Sequence, residues 1–219
     1  MSAEDVDNLC CIFYNRVFEE LHALDNQRLP WLLRISGLNL SSAVERIRAC
    51  LKAIDAEQDR LNCTATLYAW LVPRGAYTPW LLYRLAAFAA GQREGTVEGM
   101  LVQLMQSASC YAGCGCLDVG TARCLTVLMR DSASSPPHYW PVCFCLWRGL
   151  PFMALYAPSM TLERATYFPG LAAIIGDLER CLHGIYDDLD SAHRAAKRSM
   201  GNLSALFRRS AHLPQASNL

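Results

Sequence analysis

Eleven cysteines are the residues of this chain best suited to chemistry. Cys110, Cys114 and Cys116 share parity, so an extended strand turns all three to one face, and Cys124 follows across a turn. Thiolates converging from hairpins can hold zinc in a tetrahedral site. The spacing is C-x3-C-x-C rather than a pair of two-residue knuckles, and the nearest histidine, His138, lies far along the chain. Free cysteine also serves as a small buried hydrophobe. Core thiols are therefore the main expectation, with no cofactor, and a zinc module the alternative. Cys10 and Cys11 stand beside Ile12, Phe13 and Tyr14, where adjacent cysteines can be reversibly acylated at a membrane.

Nucleophilic catalysis needs a cysteine and a histidine to meet in space. Cys181-Leu182-His183 is the closest pair in sequence, but residues two apart on a helix do not face one another. Gly113-Cys114-Gly115 and Gly91 to Gly95 lack the lysine and hydroxyl of a phosphate loop, and they read as turn or close-packing glycines. Asp187-Asp188 reads as a solvated pair on a helix face. No catalytic constellation results, and a non-enzymatic protein is expected.

Composition narrows the class. The 219 residues are 53% hydrophobic and 18% charged, and 20 basic side chains balance 20 acidic ones. A neutral chain has no global field to attract nucleic acid. The charge is nonetheless uneven: Glu4, Asp5, Asp7, Glu19, Glu20 and Asp25 crowd the first 25 residues, whereas only basic residues follow Asp190. The start is acidic and polar rather than a basic patch leading into an apolar run. No uncharged apolar stretch reaches the length of a membrane span. A cytoplasmic location is expected, with free thiols.

Periodicity sets the elements. Asp5 to Leu24 reads as a helix, with Leu9, Ile12, Phe13, Val17, Leu21 and Leu24 at helical spacing. A second helix starts near Ser42, whose spacing to Glu45 fits a capping box. Thr64 to Val72 fits helix or strand. Thr78-Pro79 opens a helix carrying Trp80, Leu81, Leu85 and Phe88, and Thr96 to Met105 resumes after the glycines. The period then becomes two. Cys110 to Leu117 with Arg123 to Arg130, and Tyr139 to Trp147 with Phe152 to Tyr156, form two hairpins around the polar 132–137 loop.

The expected architecture is α+β in a single domain spanning 1–219. It has a helical N-terminal half (1–108), a four-stranded antiparallel meander (109–157), a long amphipathic C-terminal helix or helix pair (160–210) and a frayed end (211–219). A meander of this kind carries its helices on one side. Apolar residues on both faces of the Tyr139 to Trp147 strand, however, suggest a sheet covered on both sides. The order of helices, hairpin sheet and helices, with a strand–Gly–x–Pro–strand turn at Trp147 to Phe152, resembles small trafficking-complex subunits. That likeness of element order transfers no residue role.

The last fifty residues carry the functional expectation. Leu171, Ile174, Leu178, Leu182, Ile185, Leu189, Ala192, Ala196, Met200, Leu203 and Phe207 fall three or four apart, as on one helix face. Leu178, Leu182, Ile185, Leu189, Leu203 and Phe207 form the expected seam for another protein or a second copy. Arg194, Lys197, Arg198, Arg208 and Arg209 form a basic surface beside it. The chain is therefore read as an interaction subunit or adaptor, working in a membrane-trafficking or assembly complex. The alternative partner is an anionic membrane, reached through acylated Cys10 and Cys11 plus the basic helix.

Overall fold

The alternation over residues 111–156 does build antiparallel strands, and two strands that periodicity concealed join them. The computed structural model describes residues 3–16, 20–86, 94–108, 110–131, 138–158, 171–175 and 178–210; at several helical positions, 202–210 among them, only the backbone is described. In chain order come α1 (Ala3–Arg16), a 3₁₀ helix (Leu21–Gln27), α2 (Leu40–Lys52), α3 (Glu57–Leu71), β1 (Trp80–Arg84) and α4 (Glu94–Gln106). Then follow β2 (Tyr111–Val119), β3 (Ala122–Asp131), β4 (His138–Trp147), β5 (Phe152–Tyr156), α5 (Leu171–Ile175), α6 (Leu178–Cys181), β6 (Leu182–Tyr186) and α7 (Leu189–Ser210). The fold is mixed helix and sheet. The expected breaks at 91–95 and 132–137 and the frayed end at 211–219 fall wholly or mostly outside the described residues.

The sheet has six strands, not four, in the order β2-β3-β4-β5-β1-β6, and every pairing is antiparallel. The segment after Pro79, expected to be helical, is β1. Trp80 and Leu82 enter one core while Leu81 and Tyr83 enter the other. A strand buried on both faces is apolar at every position, and such a run lacks the alternation that marks a half-buried strand. β1 lies between β5 and β6, with Leu82 opposite Ala154 on one side and Gly184 on the other.

Helices cover both faces of the sheet, as the apolar residues on both sides of β4 suggest. On the first face, α1, α2, α3 and α7 pack over Cys124, Leu128, Cys143, Cys145, Trp147, Phe152 and Ala154. On the second, Val97, Leu101 and Met105 of α4 and Leu171, Ile174 and Ile175 of α5 pack over Leu125, Val127, Met129, Val142, Phe144 and Leu155. Each large apolar side chain fully removed from water contributes about 1.5–3 kcal/mol, so the two covered faces dominate stability.

The N-terminal elements differ from expectation in their boundaries. α1 is described only to Arg16, and the later part of the expected helix is the 3₁₀ helix Leu21–Gln27. Asn39 rather than Ser42 caps α2, its side-chain oxygen accepting the Ser42 N–H at 2.8 Å. α3 resolves the ambiguous 64–72 segment as helix. It is buried on several sides, at Leu61, Ala65, Leu67, Tyr68, Trp70 and Leu71, so it has no single apolar stripe. α3 lies directly on β2. A Cβ on Gly115 would fall 2.6 Å from Thr66 Cα, closer than real side chains approach.

Buried acid fixes α1 to the sheet. The Asp5 carboxylate, 4% exposed, accepts the Tyr139 N–H at 3.2 Å and pairs with His138 Nδ1 at 3.2 Å. Asp7 pairs with Arg48 of α2 at 3.2 Å, and Glu20 with Arg74 at 2.9 Å. Three of the N-terminal acids are thus engaged within the N-terminal half and β4.

Candidate interaction surface

The C-terminal region is where the expected site and the fold part company. The apolar residues spaced for one helix face are divided among three elements. Leu178 is in α6, with its side chain outside the description, Leu182 and Ile185 are in β6, and Leu189 is in α7. The three-to-four spacing runs through a five-residue strand by coincidence. A continuous helical seam through these four residues does not exist.

α7 itself faces inward. Leu189, Ala192, Ala195 and Ala196 are buried in the first core, and three alanines allow the helix to approach the sheet closely. Asp188 starts α7. Its carboxylate accepts the Ser191 N–H and hydroxyl, each at 2.7 Å, and these bonds lower its pKa. Asp188 is therefore a helix cap; it and Asp187 are both exposed, just before α7 rather than on its face. Arg194, Lys197 and Arg198 project into solvent on the opposite face. Leu203, Phe207, Arg208 and Arg209 continue α7, with their side chains outside the description.

Two histidines tie this region down. His193 stacks on Trp147 of β4, with centroids 5.0 Å apart and planes within 4°. His183 Nε2 lies 2.8 Å from Ser199 Oγ of α7, and its ring meets Phe152 edge-on at 5.3 Å. A serine bonded to a histidine nitrogen is the geometry of an activated nucleophile. Ser199, however, sits within α7, where neighbouring N–H groups are committed to the helical ladder and cannot stabilise an oxyanion. The contact joins β6 to α7.

Burial, then the charge of Lys197, pushes the His193 imidazole below its ordinary value. The unfolded chain then binds the proton more readily. Stability is full above the unfolded pKa of about 6.5 and declines as pH falls toward the folded value. The carboxylates of Asp188 and Glu98 are also depressed, and their contributions are lost only in the more acidic carboxylate range. We expect thermal melts to fall between pH 7 and pH 5, with a flatter slope in His193→Phe, which keeps a stacked ring without a titrating group. An identical slope in the variant would remove His193 from the account.

The sheet does not assemble the cysteine set. Cys110, Cys114 and Cys116 pack toward the second core, whereas Cys124 faces the first. Register explains the split: Cys116 pairs with Leu125, and Leu117 with Cys124. Cys116 Sγ receives Arg123 at 3.0 Å; burial and the Glu98 hydrogen bond push its thiol up to about 11, away from the thiolate that zinc requires. Arg123 also holds Glu98 through two bonds at 2.9 and 3.0 Å and Asp118 at 3.1 Å. Among the described residues, no group of three or more metal-ligating side chains is placed to hold an ion. Cys10 is fully buried while Cys11 is exposed, so only one of the two could accept an acyl chain without moving α1.

The two margins of the sheet are built differently. At β2, α3 supplies partners to the outer edge: Gln58 donates to the Ala112 carbonyl at 2.8 Å, and Asn62 accepts the Cys114 N–H at 3.1 Å. At the other margin β6 pairs with β1, and among the described residues no strand pairs with its outer side. Ile185 of β6 is 59% exposed there. Periodicity did not reveal β6. Asp188 with Ser191, a cap just after Tyr186, is the local signal that a helix begins there rather than continues.

Compared with known proteins, the chain matches no family model and has no significant similarity to any curated protein. Among the described residues, no helix is long and apolar enough to cross a membrane.

Proposed function

We propose that this chain is a non-enzymatic interaction subunit that receives an extended segment of a partner protein on the outer side of β6. The contrast between the two sheet margins carries this reading. An uncovered edge strand is a template for main-chain pairing, and proteins ordinarily blunt it with charge, proline or a covering element. β2 has such a cover in α3, whereas β6 presents an apolar isoleucine. Strand addition takes affinity from main-chain hydrogen bonds and specificity from alternate side chains. The exposed Arg194, Lys197 and Arg198 lie on α7, which packs against β6. They favour a segment with acidic flanks, whose charges set orientation more than affinity. The seam thus moves from a helix face to a strand edge, and among the described side chains of the expected set Ile185 is the exposed one.

Ile185→Lys places a charge on β6, the strand on which the partner segment would pair. We expect about a tenfold or greater loss of partner recovery in affinity capture, with an unchanged circular dichroism spectrum. Leu33→Lys, at an exposed leucine remote in sequence, leaves recovery intact. Amide exchange over 182–186 slows when the recovered partner is added back. Equal recovery by Ile185→Lys, or unchanged exchange in β6, would overturn the proposal.

A further inference from the structure

The loop between α1 and α2 carries a second site. The 3₁₀ helix Leu21–Gln27 ends at Arg28, whose φ of 51° and ψ of 45° are left-handed. Arg28 is the only non-glycine with positive φ among the described residues. Helix ends in this conformation favour glycine or asparagine, because a Cβ crowds the backbone. A long cationic side chain at such a place is an outlier from which a role can be inferred.

Arg28 lines an open cleft of about 690 Å³ with Arg34, His22, Asn26, Leu29 and Leu32. The carboxylate in its wall, Asp25, is already engaged, accepting N–H groups of Ile35 at 3.0 Å and Ser36 at 2.8 Å. Burial opposes its ionised form, but these bonds outweigh burial and hold its pKa low. Asp25 thus fixes the loop through its backbone bonds, and its charge also attracts Arg34. Arg34 Nε donates to Ser36 Oγ at 2.6 Å, and Arg46 holds the Arg34 carbonyl at 2.8 Å. No described residue accepts from the Arg28 guanidinium or from the two terminal nitrogens of Arg34.

We propose that this cleft binds a phosphate-bearing ligand with an apolar body. Arg28 and Arg34 take the phosphate oxygens, and Leu29 and Leu32 line the place of the apolar part. Guanidinium forks match phosphate geometry, and a dianion suits two of them where one carboxylate would be satisfied by a single fork. The cleft is larger than a phosphate alone requires. Leu33, between Leu32 and Arg34 in sequence but not in the lining of the cleft, is 66% exposed, apolar surface that a lipid source of the phosphate would favour.

The test uses the full chain with phenyl phosphate and inorganic phosphate by calorimetry, and with phosphatidylcholine vesicles with and without phosphatidic acid by flotation. Phenyl phosphate is expected to bind more tightly than inorganic phosphate. Arg28→Gly and Arg34→Gln each weaken binding by about tenfold or more. The melting temperature of Arg28→Gly stays level or rises, because glycine suits the left-handed backbone. Flotation only with phosphatidic acid, abolished by Arg28→Gly, assigns a lipid source; phenyl phosphate binding without flotation assigns a soluble one. No binding in either arm, or unchanged binding in both variants, would overturn the site. A lowered melting temperature in Arg28→Gly would make Arg28 a structural residue and count against it.

Discussion

Gly115→Val is expected to lower the melting temperature by roughly 6–12 °C, at 2–4 °C per kcal/mol for a chain of this size. The new Cβ would overlap the Thr66 amide and hydroxyl and lie 2.6 Å from Thr66 Cα. That obstacle is helix backbone, not the end of a flexible side chain, so relief requires α3 to lift off β2. α3 cannot lift locally: Leu67, the next residue, and Trp70, one turn on, are fully buried. Overpacking costs typically 1–3 kcal/mol, and a rigid neighbour places this case at about 3 kcal/mol or more. Gly99 of α4 is the control, since a Cβ there meets nothing within 4 Å. Gly99→Ala should hold or raise stability, by about 0.5–1 kcal/mol. A Gly115→Val melt within about 2 °C of the parent would mean that α3 and β2 are farther apart than described.

Trp70→Ala is the second large effect, at about 3–5 kcal/mol for loss of a fully buried aromatic. Trp70 is 0% exposed, lies 6.1 Å from the Phe13 ring of α1, and carries the Arg74 guanidinium 3.7 Å over its face. Its removal opens a cavity where α1 and α3 meet and deprives a largely buried cation of its platform. Arg74 keeps Glu20 at 2.9 Å and the residue 70 carbonyl at 2.6 Å. A double-mutant cycle with Arg74→Met separates the two parts in urea melts. The coupling expected for a partly desolvated cation over an indole is about 1–2 kcal/mol, and the remainder is the cavity. Zero coupling would leave the cavity as the whole explanation.

The legible parts of the fold were those written in local pattern. β2 to β5 announced themselves by alternation, and their turns by Gly120 and Gly149, both at positive φ. β1 was concealed because Trp80-Leu81-Leu82-Tyr83 is buried on both sides, which erases alternation. β6 was concealed because its partner, β1, lies about 100 residues earlier in the chain. No window near Leu182 contains that information. The cysteine parity was sound for Cys114 and Cys116. The face of Cys124, by contrast, depended on the register set by the Gly120-Thr121 turn, and a shift of one residue would have reversed it. The arginine cleft depends on the backbone conformation of Arg28, which no spacing rule encodes. Asp5 is a similar case: its burial against β4 comes from a contact 134 residues away.

The place of β1 has a consequence for synthesis. It emerges before any of its neighbours, yet it is flanked by β5 and β6, the last of which ends at Tyr186. Both hydrogen-bonding sides of this apolar ribbon stand open until β5 emerges, and the β6 side stays open until Tyr186, a state prone to pairing with a stranger. Shortened versions ending before Leu182 should therefore clump in the cell even though every earlier strand is present, and a chaperone is most needed in that interval.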